Sequence, residues 1–412
     1  MSSPRSAGYR SVFAVPEFRA VFAAHVLSML GEVLGEIALS VLVYRLTGSP
    51  LLSALSLALG LLPYALGGIL LSGVADRFPT RRVLVGCDLV CATAAAGLVV
   101  PGMPVGALLA LRCVLAAVAP VFTGTRAATL TDILGTGDRY VLGRSVIRLV
   151  SQSAQLAGFG IGGLLLLAVS PHGVLAVTTV TFLASATVLR LGTRTRPARA
   201  AAGRLLGDSL AATRRLLADR RIRSLLIFAW VPPMFVVVGE ALLTPLVAGA
   251  HGSPAWLGLL MCGMPIGAVL GETLAGALLG PRGRARLMAP AALWAAVPSL
   301  AYAFGPPLWV CLGCQLATGL AITYSLGLDQ RFLAAVPESL RGSALTLLTA
   351  GQMTAQGLAM TAAGAAADVL PVPTVIAAGG VLGVLLLPFV LWQVRLADRA
   401  GADPRVPLAG HA

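Results

Sequence analysis

The chain contains no lysine: all 30 basic residues among its 412 are arginine. That excludes chemistry built on a lysine amine, whether a Walker A phosphate loop or a Schiff-base nucleophile. Charge of either sign is also scarce. Charged residues make up 11 % of the sequence, where an ordinary soluble domain carries about 25 %. A soluble chain of this length divides into cores joined by polar linkers, and there is too little polar sequence here to supply them. A soluble enzyme, a disordered chain and a coiled coil are all excluded. No phosphate-binding or metal-ligand pattern replaces them. Cys311 and Cys314 have metal-like spacing, but they lie in an apolar run with no second pair, and the six cysteines read as packing residues.

What the chain has instead is apolar length. Hydrophobic residues are 57 % of it, and the mean hydropathy is +0.89. A transmembrane helix needs about 20 mostly apolar residues. Twelve such runs are read at 21–44, 51–72, 83–100, 105–124, 148–169, 173–191, 224–247, 256–279, 287–304, 308–328, 343–367 and 373–393. The first is too long for a signal h-region, carries Glu32 and Glu36, and lacks a cleavage site. Trp256, Trp309 and Trp392 fall near run ends, where amphipathic rings prefer the interface.

The arginines set the orientation. With the N-terminus inside, every arginine but Arg45 and Arg112 falls on the cytoplasmic side, Arg126 among them in the loop after the fourth run. An odd number of spans would destroy this asymmetry. The net charge of +14 is therefore an orientation signal and not a nucleic-acid footprint. The expected fold class is an all-α membrane protein with twelve transmembrane helices in two six-helix halves. The divisions are a cytoplasmic N-terminus 1–20, a first half 21–191, a basic cytoplasmic loop 192–222, a second half 223–395 and a cytoplasmic tail 396–412. Within the loop, 204–222 alternates charged and apolar residues and reads as a basic amphipathic helix on the membrane surface.

An internal repeat supports the halves. At an offset of 204 residues, Gly35-Glu36 falls on Gly239-Glu240, Gly48-Ser49-Pro50 on Gly252-Ser253-Pro254, and Leu66-Gly67 on Leu270-Gly271. Tandem halves of this kind are a transporter plan.

Charges inside the runs mark the functional candidates. Glu32, Glu36, Asp88, Glu240, Glu272 and Arg112 each cost roughly 2.5–3.5 kcal/mol at a lipid-exposed helix centre. They should therefore face protein or water. Glu32 and Glu36 are four apart on one helix face and repel when both are ionised, a physical basis for carrying a proton. Arg112 cannot deprotonate and needs a partner. Glu36 is placed first by depth and Glu32 second. Asp88, near the cytoplasmic end of its run, is expected to join Asp76 in a structural network. Gln152, Gln155, Gln315, Tyr324, Gln352 and Gln356 are candidate cavity-lining groups, although helix–helix hydrogen bonding explains such residues equally well. Pro63, Pro232, Pro233, Pro265 and Pro298 should kink or loosen their spans.

The loop Gly73-Val74-Ala75-Asp76-Arg77-Phe78-Pro79-Thr80-Arg81-Arg82 resembles the signature of the major facilitator superfamily, with Pro79 and Thr80 replacing its glycine stretch. Ser28-Met29-Leu30-Gly31-Glu32, Leu46-Thr47-Gly48-Ser49-Pro50 and Thr125-Arg126-Ala127-Ala128 with Asp132 look like the drug-efflux branch related to macrolide and enterobactin exporters. Gly158-Phe159-Gly160-Ile161-Gly162-Gly163 resembles the antiporter motif, with Phe159 in place of its proline. The stretch around Arg112 resembles the fourth-span arginine motif, with Leu115 and Ala116 where glutamine and glycine are expected.

The resemblance implies a major facilitator fold and proton-coupled efflux of a small hydrophobic or amphiphilic compound, such as a drug, antibiotic or siderophore. In it Gly73, Asp76, Arg77, Arg81 and Arg82 act as a cytoplasmic gating motif, and Gly158, Gly160, Gly162 and Gly163 pack helices. The expected energy source is the proton gradient, with no cofactor and no metal. The expected partners are a small-molecule substrate and anionic lipids of the inner leaflet, with no nucleic acid. The chain is expected to be a monomer in the plasma membrane with both termini cytoplasmic. A proton-coupled importer and a non-transporting sensor or scaffold are the alternative readings.

Overall fold

A computed structural model describes residues 9–64, 67, 77–135, 138–196 and 205–402. Among them the regular structure is entirely helical. In a bilayer core only intrahelical hydrogen bonds satisfy every backbone group of a single segment, and the Leu/Ala/Val-rich runs comply. Ten described helical segments are long and apolar enough to cross a membrane, so this is a multi-pass membrane protein. Two further runs were expected. The first is represented by the shorter apolar stretch Pro50–Tyr64. The second forms a 27-residue helix, Arg341–Ala367, whose Thr and Gln residues lower its apolarity.

The chain divides into two compact units. One comprises Met1–Gly203 with His251–Cys262, and the other Arg204–Ala250 with Gly263–Ala412. The first unit opens with α1 (Tyr9–Phe13), α2 (Pro16–Thr47) and α3 (Pro50–Ala58). It continues with α4 (Thr80–Val99), α5 (Val105–Leu134), α6 (Asp138–Ala168) and α7 (Pro171–Gly192). At ~1.5 Å per residue, the 32 residues of α2 outreach the ~30 Å hydrocarbon core. The helix packs along α7, and small residues let it approach. A Cβ on Gly31 would overlap Thr181, and one on Gly35 would meet the Thr178 methyl at 3.1 Å. One end of this unit is closed by Phe18, Val21, Leu84, Leu130, Ile147 and Leu189.

The second unit holds α8 (Leu205–Ala218), α9 (Arg220–Ala241) and α10 (Leu243–Gly249), then α11 (Pro254–Leu278), whose first turns are grouped with the first unit. After α12 (Pro281–Trp294) come a 3-10 turn (Pro298–Phe304), α13 (Leu308–Ala321) and α14 (Tyr324–Ala335). A second 3-10 turn (Glu338–Leu340) leads to α15 (Arg341–Ala367) and α16 (Val372–Ala402). Pro298 does more than kink its span: the α-helix stops at Trp294 and resumes as 3-10. Pro232, Pro233 and Pro265 are accommodated inside α9 and α11. The expected amphipathic helix forms as α8. Its Leu216 is fully buried with Leu225, Phe228, Met288 and Phe332, so part of its apolar side faces this unit's own core.

The repeat has a local expression in each unit. Gly48 caps α2 at φ 66, and Pro50 then starts a helix whose N-cap Ser49 accepts from Leu52 N–H. The mate Pro254 also starts a helix, but the left-handed residue before it is His251, at φ 52. Gly67 lies against the Ala117 backbone, and its mate Gly271 lies against Leu320.

Candidate functional site

The site grows from two helix faces of the first unit. On α2, His25, Ser28, Met29, Glu32, Gly35 and Leu39 recur at helical spacing and line one cavity. On α5 the same cavity is lined by Arg112, Leu115, Ala119, Phe122 and Arg126, again one face. Asp88 and Cys91 of α4 and Thr178 and Phe182 of α7 complete most of the wall. The cavity holds about 60 Å³. At roughly 10–15 Å³ per water-sized sphere that admits a few waters. Sites for drug-sized ligands run to about 300–1,000 Å³.

Arg112 is buried. Its Nη2 lies 3.6 Å from Glu36 Oε1, and its Nε donates to the Ser56 carbonyl at 3.4 Å. Gly60 makes room for this guanidinium, since a Cβ there would collide with Arg112 Nη2. Glu32 is half-buried one turn before Glu36 and lines the cavity.

One placement corrects the sequence reading. Arg126 is not in a loop: α5 runs ten residues past its expected end to Leu134, and Arg126 faces the cavity. Its Nη1 donates to His25 Nδ1, and its guanidinium sits 5.1 Å from the Phe122 ring centroid, within cation–π range. It also lies within electrostatic reach of Glu32 and Asp88. Asp88 contacts Ser185 Oγ at 2.5 Å and accepts from Ser28 Oγ at 3.4 Å; Asp76, its expected network partner, lies outside the described residues. His25 Nε2 is 2.7 Å from Ser151 Oγ.

A signal for Arg126 was present. It lies fourteen residues after Arg112, about four helical turns, with Leu115, Ala119 and Phe122 between them on the same face. A hydropathy window stops at Thr123-Gly124-Thr125-Arg126 and hides it.

The other candidates are dispersed. Glu240 is half-buried near the end of α9, and Glu272 is half-buried on α11 in the second unit. Gln315 is buried in that unit beside Gly239 and Gly263. Tyr324 is buried edge-on to Phe228, 5.9 Å between centroids. Gln352 and Gln356 are half-buried on α15, Gln155 is half-buried and Gln152 exposed on α6. None of these residues lines the cavity of the first unit.

Of the gating motif, Gly73 and Asp76 lie outside the described residues. Arg77 and Arg82 are exposed, and Arg81 Nη1 donates to Thr195 Oγ1 at 3.3 Å. Close by in sequence, Arg196 donates to Glu17 Oε1 at 2.5 Å and to Oε2 at 2.8 Å, and Arg194 N–H donates to Glu17 at 2.9 Å. The hydrogen bonds to Glu17 hold the Arg196 guanidinium above its ordinary range.

The glycine run of α6 packs unevenly. Gly158 lies against Val33, Gly162 against Ile37, and Gly163 against Gly258, where an added Cβ would sit 2.7 Å from Cα. Gly160 is looser, with Cys262 Sγ nearest at 3.8 Å. Among the described residues, no group of three or more His, Cys, Asp or Glu is arranged to hold a metal.

Comparison with known proteins gives a consistent picture. The profile of the transmembrane secretion effector family matches residues 8–408. No curated protein matches by sequence. Solved structures do. The POT family transporter PepTSo superposes with a TM-score of 0.73 at 11 % identity, covering 94 % of this chain and 99 % of its own. A bacterial homologue of the human lysosomal transporter Spinster, inward-facing and unoccupied, gives 0.71 at 18 % identity, covering 97 % and 98 %. The nucleoside transporter NupG gives 0.70 at 16 % identity, covering 91 % and 99 %. At these identities the likeness is one of fold.

Proposed function

This chain belongs to the transmembrane secretion effector family of major facilitator transporters, and we propose that it exports a small hydrophobic or amphiphilic compound in exchange for protons. Transport proceeds by alternating access in a fold of twelve transmembrane helices in two six-helix halves. The observation that carries the reading is the Glu36–Arg112 pair, with Glu32 one turn away in a small cavity. Charges are kept within membrane-spanning segments at a cost of kilocalories, and a carboxylate held by a guanidinium can exchange that partner for a proton. The cavity's size suits water and protons rather than the exported compound. Proton supply needs no cofactor, and the membrane potential adds about 2.3 kcal/mol per charge per 100 mV. Outward transport is supported by the family's description and by the glycine run of α6. The arginine pattern supports a plasma-membrane protein with both termini cytoplasmic and anionic lipid around its basic loops.

The test is efflux of a lipophilic cationic dye from proteoliposomes under an imposed pH gradient. Wild type should drive the dye against its gradient. Glu36→Gln should abolish the gradient-driven component while dye exchange persists. If Glu36→Gln, Glu32→Gln and Glu240→Gln all couple as wild type does, the proton assignment is wrong. Uptake rather than efflux under the same gradient would reverse the direction.

A further inference from the structure

Two hydrogen-bond chains beside the cavity have donor counts that constrain where protons reside. Ser185 Oγ approaches the Ala24 carbonyl at 3.0 Å and Asp88 Oδ2 at 2.5 Å. A hydroxyl has one proton to donate. The Ala24 carbonyl carries none, so if Ser185 donates to it, the contact with Asp88 must be donated by Asp88. In the alternative, Ser185 donates to an ionised Asp88 and the Ala24 carbonyl keeps only its helical bond within α2. Ser28 Oγ donates to Oδ1, the other oxygen. The set is complete when Asp88 is a neutral carboxylic acid with its proton on Oδ2.

The second chain lies beside it. Arginine only donates, so His25 Nδ1, which takes the Arg126 bond, must be unprotonated. Its Nε2 then carries the hydrogen and donates to Ser151 Oγ, which donates in turn to the Ile147 carbonyl at 2.9 Å. His25 is therefore the neutral Nε2–H tautomer. Arg126 is held by a neutral imidazole and the Phe122 ring, and among the described residues no carboxylate oxygen lies within ion-pair distance of it.

We propose that Asp88 is a second proton-carrying carboxylate of this cavity, and that Arg126 is the counter-charge that replaces its proton. The inference deepens the proton-coupled reading above and rests on it for its role in transport. When the proton leaves Asp88 Oδ2 for cavity water, the carboxylate gains a negative charge and Ser185 turns its hydrogen from Ala24 to Asp88. Arg126 shifts from His25 toward the new charge. On reprotonation Arg126 returns to His25 Nδ1. Charge and protons balance at each step: one proton enters or leaves, and no bond to carbon changes.

The groups facing Asp88 are consistent with this exchange. From α2 come His25 and Glu32, from α5 Arg112 and Arg126, and from α4 itself Cys87 and Cys91. On the cavity wall α7 presents Thr178 and Phe182, with Ser185 at the carboxyl. Arg112 is engaged with Glu36, which leaves Arg126 as the cation on hand.

The experiment is infrared spectroscopy of the full chain in lipid nanodiscs across a pH series, with dye efflux measured on the same preparations in vesicles. Wild type should show the carbonyl stretch of a neutral carboxyl group at neutral pH. Asp88→Asn should remove it, and Glu36→Gln should leave it in place. Asparagine mimics the protonated acid toward Ser185, so Asp88→Asn should melt with wild type. Should it fail to fold, Ser185→Ala provides a second arm, because losing the hydrogen-bond partner should shift the band. Arg126→Met should make the band persist to about tenfold lower proton concentration, since the replacing charge is gone. A spectrum in which Asp88→Asn retains the whole band, or Arg126→Met titrates as wild type, overturns the inference. If those results occur while gradient-driven efflux still depends on Glu36, the transport reading survives alone. If the band behaves as expected while wild type shows no gradient-driven efflux, the proton site stands and the transport reading falls.

Discussion

At the scale of single residues, the cavity is tuned by small groups as much as by charged ones. Gly60 is absent from any inventory of polar residues, yet Arg112 occupies the space a Cβ would need. Gly60→Ala should displace the guanidinium and weaken its bond to Glu36. Gradient-driven efflux should fall severalfold in vesicles, with less effect on dye exchange. The pair itself can be apportioned by a double-mutant cycle. Removing one partner of a buried pair costs up to about 3–5 kcal/mol, largely from the stranded charge. Glu36 is partly exposed, so the lower end applies. Arg112→Met should cost roughly 2–3 kcal/mol in detergent unfolding, and the double variant Glu36→Gln/Arg112→Met should recover most of it. Equal losses in single and double variants would show that the pair is not coupled.

Legibility at this scale was uneven for physical reasons. The charged residues of spans were visible because a charge in an apolar run is costly wherever it points. The pairing of Arg112 with Glu36 could be ranked from depth, since both sit in runs of known register. Arg126 was misplaced because Thr123, Gly124 and Thr125 lower the local hydropathy while leaving the helix intact. The partners of Asp88 were unreadable. Ser28 and Ser185 are 60 and 97 residues away, and neither serine differs in sequence from one that bonds its own helix.

At the scale of elements, helix contacts separate true close approaches from glycines that only look like them. Gly163→Ala places a methyl within 2.7 Å of Gly258 Cα, and the backbones must part. It should cost about 1–3 kcal/mol, the usual range for overpacking. Gly160→Ala meets only ordinary contact at 3.8 Å and should stay within about 0.5 kcal/mol of wild type. Thermal unfolding of the two variants side by side checks the contrast. The helix α8 gives a second element-scale expectation. Leu216 is fully buried in the second unit's core, so Leu216→Ala should destabilise by about 2–5 kcal/mol. A helix lying only on the bilayer surface would tolerate the change, and a neutral result would return it to that role.

At the scale of the whole molecule, the arginine distribution makes a topological prediction that no single helix can make. Alkaline phosphatase fused after Gly48 should be active, because the arginine pattern places that loop outside. Fused after Arg196 it should be inactive, and a fluorescent protein at the C-terminus should fold and fluoresce. Glu17 and Arg196 join the start of α2 to the segment beyond α7 with two parallel hydrogen bonds. The pair is partly exposed, so Glu17→Gln should cost only about 1 kcal/mol, diminishing in high salt.

The sequence alone determined that this chain lives in a membrane and where most of its apolar helices fall, and it carries a repeat at an offset of 204 residues. Each of these follows from local transfer energies, which sum residue by residue along a run and need no knowledge of neighbours. The tertiary structure alone decided which polar groups meet: Arg126 with His25, Asp88 with Ser28 and Ser185, Leu216 with the core of its unit. Such meetings depend on the rotation and crossing of helices far apart in sequence. Those are set by the close packing of side chains such as Thr178 and Val33 against glycines, not by hydropathy.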